Sequence, residues 1–220
     1  MTVLLSALIL LTAFYILITV GLTLGLGRQP RREEILLPDV SIIIAAHNEE
    51  DHISTCLQGI ASQTYPAAQT QVIVVDDRST DGTADAAASW STKIPNLVVV
   101  LVTETNLDCP KKNALETGLA HATGSVIITT DADCVPCAGW VASTIASFSK
   151  EVGVVIGPAP LTDPGGRFSW ILVFQSLLVN ALAAGSAGLG IPLTCSGRNL
   201  AYQRSACDDV GGYGPLGHII

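Results

Sequence analysis

Charge is scarce in this chain. Only 14% of its 220 residues are Asp, Glu, Lys or Arg, against about a quarter in an ordinary soluble domain. Basic residues are scarcest: Lys and Arg total 11 against 19 Asp and Glu, for a net charge of -8. A nucleic-acid binder needs a basic face, so no nucleic-acid partner is expected. An acidic chain that handles an anionic substrate needs a metal ion or a few focused cations. Cysteine is present without a framework. Cys56, Cys109, Cys134, Cys137, Cys195 and Cys207 give one CxxC, at Cys134 and Cys137. A second pair, or histidines at ligand spacing, would be needed for structural zinc, and neither is there. The CxxC opens no thioredoxin-like unit either, so the six are read as free thiols in a reducing compartment. A glycine-rich GxGxxG is also missing after the first strand-like run, which excludes a dinucleotide-dependent dehydrogenase.

What the chain has instead is apolar sequence. Hydrophobic residues make up 49% and the mean hydropathy is +0.48, which suggests membrane contact. Val3 to Gly27 carries no charge and exceeds the roughly 20 residues that span a bilayer as a helix. A cleaved signal peptide would want a positive start and a shorter apolar core. Only Met1 and Thr2 precede the run, and Arg28, Arg31 and Arg32 follow it. The expectation is a retained anchor over residues 1–27 in the inner (cytoplasmic) membrane. Its N-terminus would lie outside and the rest of the chain in the cytoplasm. Residues 28–39 then read as a polar linker into a domain over 40–220. A second uncharged stretch, Phe168 to Leu193, is long enough to cross. A single crossing would separate the segments on its two sides, so it is expected to pack on the domain or lie in the membrane interface.

From Val40 the chain alternates. Val/Ile-rich runs of strand length begin near Val40, Gln71, Leu97, Ser125 and Val152. Segments of helical spacing separate them: Glu50 to Gln63 with Ile53, Leu57 and Ile60, Gly82 to Trp90, Lys111 to Ala122 with Gly124 as its stop, and Ala138 to Ser149. This pattern predicts an α/β fold, a mostly parallel sheet with helices on both faces.

The chemistry sits where strands stop. The first ends in His47, Asn48, Glu49 and Glu50; the second in Asp76 and Asp77; the fourth in Asp131 and Asp133. Ligands of open α/β sheets bind outside the carboxyl ends of the strands, so three polar clusters are expected on one rim. Close like charges need a cation or a donor-rich ligand between them. Asp131 and Asp133, at i and i+2, project to one side if the strand persists. Two hard oxygen ligands there suit Mg²⁺ or Mn²⁺, with water and phosphate completing the shell. A capping aspartate in a polar loop is the plainer account of either one alone. Lys111 and Lys112 open a helix, where lysine is unfavourable unless an anion binds.

Five stretches occur in order: "AAHNEE", "VIVVDDRSTDGT", "KKNALETGLAHATG", "TTDADC" and "CSGRNLAYQRSAC". Together they resemble the family 2 glycosyltransferases, inverting enzymes of the GT-A fold, and above all their membrane-attached bacterial members. The resemblance runs from about Val40 to Gly214. It implies a nucleotide-diphosphate sugar donor, expected to be UDP-linked, and a glycan or lipid-linked acceptor. It places Glu49, Asp76 and Asp77 at the base and ribose, with Asp77 the first choice for the base. Lys111 falls near the diphosphate. Asp131 and Asp133 fall on the metal-binding DxD, with Asp133 the expected direct ligand. Gly197, Arg198 and Asn199 fall in a segment lining the donor and acceptor sites. His47 stands where an aromatic is common. The family's general base lies in an acidic motif shortly after a loop like "GGYG"; no acidic cluster follows Gly214 here, so the base is expected beyond Ile220 and the domain to be C-terminally incomplete. A sugar-phosphate nucleotidyltransferase would want a glycine-rich basic loop where "AAHNEEDH" stands, and a non-catalytic nucleotide-sugar-binding membrane subunit is the remaining alternative.

Overall fold

In the computed structural model, the described residues are 2–28, 37–103, 109–162 and 165–214. The linker expectation, with Arg31 and Arg32, lies mostly outside them. The chain forms two compact units. One gathers α1 (Thr2–Gly27) with the described residues between Ile156 and Ser196, which include α6 (Ser169–Gly188). The other gathers the described residues of 31–155 and 197–220, and holds the sheet.

In the sheet unit the strands are β1 (Val40–Ala46), β2 (Thr70–Asp77), β3 (Leu97–Val102), β4 (Val126–Asp131), β5 (Val154–Ile156) and β6 (Leu200–Gln203). Their order is β3-β2-β1-β4-β6-β5. β1, β2, β3 and β4 run parallel, and β6 is antiparallel to β4. The helices are α2 (Glu50–Ala61), α3 (Thr83–Ala88), α4 (Pro110–His121), α5 (Trp140–Ile145) and α7 (Arg204–Asp209). Every expected strand forms. β6, four residues after a 3-10 turn, was not anticipated.

Strand alternation splits the core into two layers. Ile42, Ile44, Val72, Val74, Val126 and Ile128 point to the face covered by α2, α3 and α5. Ile43, Ile73, Val75 and Ile127 point to the face covered by α4, through Ala114 and Leu115. The central strands bury both faces, which is why they read as unbroken Val/Ile runs. α2 buries Ile53, Cys56, Leu57 and Ile60, the i, i+3, i+4, i+7 stripe of an amphipathic helix. α4 starts with Pro110 at its first turn, where the missing N–H costs nothing.

Gly124 does not end α4, which stops at His121. A Cβ there would stand 2.5 Å from the Ser41 amide nitrogen and 2.8 Å from the Asp39 carbonyl oxygen. The glycine is needed for close passage of two backbones.

In the other unit α1 and α6 pack against each other through small residues. A Cβ on Gly25 would collide with the Gly185 carbonyl oxygen, and one on Gly188 with that of Gly25. Half of α6 is exposed, including Trp170, Phe174, Leu177 and Leu178.

Candidate functional site

A cavity of about 390 Å³ opens at the carboxyl ends of β1, β2 and β4. It lies where the chain's order across the sheet reverses, with β2 on one side of β1 and β4 on the other, the ordinary ligand position of such folds. Its lining includes His47, Glu49, Asp77, Arg78, Lys111, Asp131 and Asp133. Thus five of the sequence-predicted residues, Glu49, Asp77, Lys111, Asp131 and Asp133, are brought together. Asp76, Gly197, Arg198 and Asn199 are not among the lining residues.

Period-two alternation explains the selection. Asp77 shares its parity with Ile73 and Val75, and Asp131 with Ile127, so both lie on the α4 face. Asp76 shares parity with Val72 and Val74 and lies on the opposite face. There its buried carboxylate accepts from the Ser79 hydroxyl and, at 3.3 Å, from the Ser79 amide. Gly197 accepts a hydrogen bond from the Thr129 hydroxyl (2.9 Å), and buried Asn199 accepts from the Trp140 indole N–H (2.9 Å). These two hold the junction between β4 and β6.

The expected mutual repulsion of the rim carboxylates is largely absorbed by the protein. Asp81 accepts from the Thr83 hydroxyl and amide, which holds its carboxyl below the ordinary value. Glu50 accepts from the Gly82 amide at 2.9 Å. Asn48, at φ 56, accepts from the Thr80 amide at 2.8 Å and donates its own amide to the Ser79 hydroxyl at 2.9 Å. The loops after β1 and β2 therefore cap one another. Glu49 lines the cavity while its carboxylate meets the His52 Nδ1 at 2.9 Å.

On the cavity side the charges pair across elements. The Lys111 ammonium stands 2.8 Å from Asp131 Oδ1 and remains half-exposed. Lys112 instead donates to the Gly214 carbonyl at 3.2 Å. Asp131 is the last residue of β4, and Ala132 and Asp133 form a turn closed by the Cys134 amide on the Asp131 carbonyl (3.2 Å). The strand does not persist to Asp133, so alternation places Asp131 and the turn after it carries Asp133 to the cavity. Asp133 is exposed.

Two lining residues, His47 and Arg78, were given no role from the sequence. His47 Nδ1 lies 2.6 Å from the Asp77 carbonyl oxygen, while the Asn48 side-chain amide reaches its Nε2 at 3.2 Å. An imidazole that donates from Nδ1 and accepts at Nε2 fits both contacts. It ties the end of β1 to the end of β2. Arg78 lies at φ 58, a left-handed conformation that costs a non-glycine residue about 1–2 kcal/mol. Its guanidinium grips the Asp77 carboxylate with two bonds, Nε to Oδ1 at 2.7 Å and Nη2 to Oδ2 at 3.2 Å. The stretch "DDRSTDGT" showed the arginine, but pairing between adjacent residues has no sequence signature.

Beneath the cavity Cys56 is buried, and burial first, then the neighbouring Cys134, Asp133 and Asp131, pushes its thiol up to about 12. Burial raises Cys134 as well. Thiols so shifted are poor nucleophiles and poor metal ligands at neutral pH, and all six cysteines are free.

Comparison with known proteins decides the family. The family model described as glycosyl transferase family 2 matches residues 41–211. The chain belongs to glycosyltransferase family 2. Among its relatives, glycosyltransferase AglE of Haloferax volcanii is 35% identical over 59% of this chain and 42% of its own length. The probable glycosyltransferase YdaM of Bacillus subtilis is 29% identical over 80% of this chain and 43% of its own. A solved structure of the mannosyltransferase PcManGT from Pyrobaculum calidifontis, in complex with GDP-Man and Mn²⁺, superposes with a TM-score of 0.65 at 27% identity, covering 93% of this chain and 57% of that one. This family 2 chain has the GT-A fold, and it spans well under half the length of those two curated relatives.

Proposed function

We propose that this family 2 chain carries the donor-binding part of a membrane-anchored, metal-dependent, inverting glycosyltransferase. Its donor is a nucleotide-diphosphate sugar and its acceptor a glycan or a lipid-linked glycan. The observation that carries the reading is the convergence of Asp77, Lys111, Asp131 and Asp133, from two strand ends and one helix start, on one cavity.

The cavity fits a divalent ion held jointly with a diphosphate. Among the described residues no group of three or more His, Cys, Asp or Glu could hold a metal alone. Two carboxylates, Asp131 and Asp133, supply hard oxygen ligands, and phosphate oxygens and water suit the remaining positions of Mg²⁺ or Mn²⁺. Such an ion, when bound, supplies Lewis-acid stabilisation of the departing diphosphate.

The chain's own residues do the rest. Asp77 accepts from the nucleobase, and Glu49, near it on the rim, from the ribose. Lys111 neutralises Asp131 in the free protein and exchanges that partner for a diphosphate oxygen when the donor enters. α4 adds the positive end of its dipole at the same place. Asp76 supports the ribose side indirectly, by holding the loop at Ser79. Gly197, Arg198 and Asn199 are assigned to the β4–β6 junction beside the acceptor side. The base that takes the acceptor's proton is expected outside the described residues.

The membrane reading rests on α1, 26 residues with a mean hydropathy of 2.6 in its most apolar window, roughly 39 Å long at 1.5 Å per residue. That exceeds the roughly 30 Å of a bilayer core. α6 belongs with it: close backbone contact at Gly25, Gly185 and Gly188 is how helices associate in lipid. We assign α1 as a span with its N-terminus outside, Arg28 marking the cytoplasmic end, and α6 as its companion at the cytoplasmic interface, near a lipid-linked acceptor.

Calorimetric titration of UDP and GDP with and without Mn²⁺ tests the donor site. Metal-dependent binding that disappears in Asp133→Ala is expected; binding indifferent to both metal and Asp133 would sink the metal assignment. Retention of the full chain in carbonate-washed membranes is expected, and its release by carbonate would remove the anchor.

A further inference from the structure

We propose that Arg78 selects the nucleobase of the donor, favouring the single imide N–H of uracil or thymine over the two-donor edge of guanine. This inference rests on the reading of the cavity as a nucleotide-sugar site with Asp77 as its base contact.

A carboxylate offers about four lone-pair directions, two per oxygen, and the two that face the same way form the edge that a guanidinium takes as a fork. Arg78 occupies that edge of Asp77, with Nε on Oδ1 at 2.7 Å and Nη2 on Oδ2 at 3.2 Å. Guanine presents N1–H and N2–H side by side and needs the same paired edge. A uracil or thymine N3–H is one donor and is served by a remaining lone pair on either oxygen. The Asp77 side chain is only 9% exposed, so little other carboxylate surface is left for a second donor.

The backbone makes the arrangement specific to this side chain. Arg78 lies at φ 58, where glycine fits without strain and a long side chain does not. The turn would form at least as well with glycine, so the arginine is not there for the turn. Arg78 also lines the cavity beside Asp77. The fork fixes the Asp77 carboxyl plane, and the carboxylate then meets the base already oriented.

The experiment titrates UDP, dTDP and GDP, each with Mn²⁺, into the full chain and into Arg78→Gly and Arg78→Lys, alongside thermal unfolding. The wild type is expected to bind UDP and dTDP at least about tenfold more tightly than GDP. In Arg78→Gly the preference is expected to fall to within about threefold, by a gain for GDP, with cooperative thermal unfolding retained. Arg78→Lys, which keeps the charge and loses the fork, is expected to lose the preference too. A wild type without preference, or an Arg78→Gly chain that keeps it, overturns the proposal. Retention of the preference in Arg78→Lys assigns the selection to charge and overturns the fork. If none of the three nucleotides binds the wild type, the donor-site reading itself falls and this inference with it.

Discussion

Asp76 and Asp77 are neighbours on one strand, yet they belong to two different regions of the rim. Asp77 on β2, with Asp131 on β4 across β1, faces α4 and the cavity, where the Arg78 guanidinium forks its carboxylate. Asp76, with Asp81, Glu50 and Asn48, faces α2 and α3, where hydroxyls and backbone amides of the next loop take up the carboxylates. The first region holds charge for something that arrives. The second spends its charge on holding two loops together. Acidic residues at strand ends are therefore not one population: the side of the sheet on which each falls decides whether it faces the cavity or holds a loop.

This contrast is sharpest at the metal position. Asp133→Ala should weaken metal-dependent nucleotide binding by about 100-fold, the loss of about 2–3 kcal/mol for a charged partner. Melting should barely move, because the residue is exposed. Titration of Mn²⁺ and UDP together with a melting curve checks both; a collapse of stability without a binding loss would break the division.

The two lysines sharpen the same line on a smaller scale. Lys111→Ala should cost roughly tenfold in diphosphate binding and, as a half-exposed pair, within about 1 kcal/mol in stability. Lys112→Ala, whose ammonium sits on a carbonyl of the chain, should change binding less than about threefold. Equal effects of the two would remove the distinction between them.

The loop region offers the smallest test, in pH. The Thr83 hydroxyl lowers the Asp81 carboxyl. A lowered folded value gives stability that is present above the unfolded value, about 3.9, and lost as pH falls through the folded one. Asp81→Asn should therefore remove part of the acid dependence of melting between about pH 5 and pH 3, and leave nucleotide binding unchanged. An identical pH profile in the variant would show that the cap contributes nothing.

How much of this was legible beforehand differs by physical cause. β-branched runs marked β1, β2 and β4, because doubly covered strands are apolar throughout. Ile53, Leu57 and Ile60 marked α2. The position of the binding rim followed from which residues ended those strands. What stayed hidden depended on three-dimensional partners. Asp76 and Asp77 were grouped because they are adjacent, although alternation sends them apart. Asp133 was expected beside Asp131 on condition that the strand ran on, and it stops at Asp131. The Arg78 fork and the antiparallel β6 arise from a left-handed residue and a four-residue strand, neither of which leaves a periodic pattern. The meeting of α1 with α6 at three glycines joins segments about 160 residues apart, beyond the reach of any local reading.

The most direct measurement compares Asp76→Asn with Asp77→Asn by titration with UDP and Mn²⁺ and by thermal unfolding. The account predicts that Asp77→Asn loses most of its binding, at a stability cost no larger than that of Asp76→Asn, since both carboxylates are buried and hydrogen-bonded. It predicts that Asp76→Asn keeps binding within about threefold while losing about 1–3 kcal/mol of stability, the penalty for disturbing a buried, satisfied carboxylate. The reverse pattern, or the same loss of binding in both, would contradict the division of the rim into a binding side and a structural side.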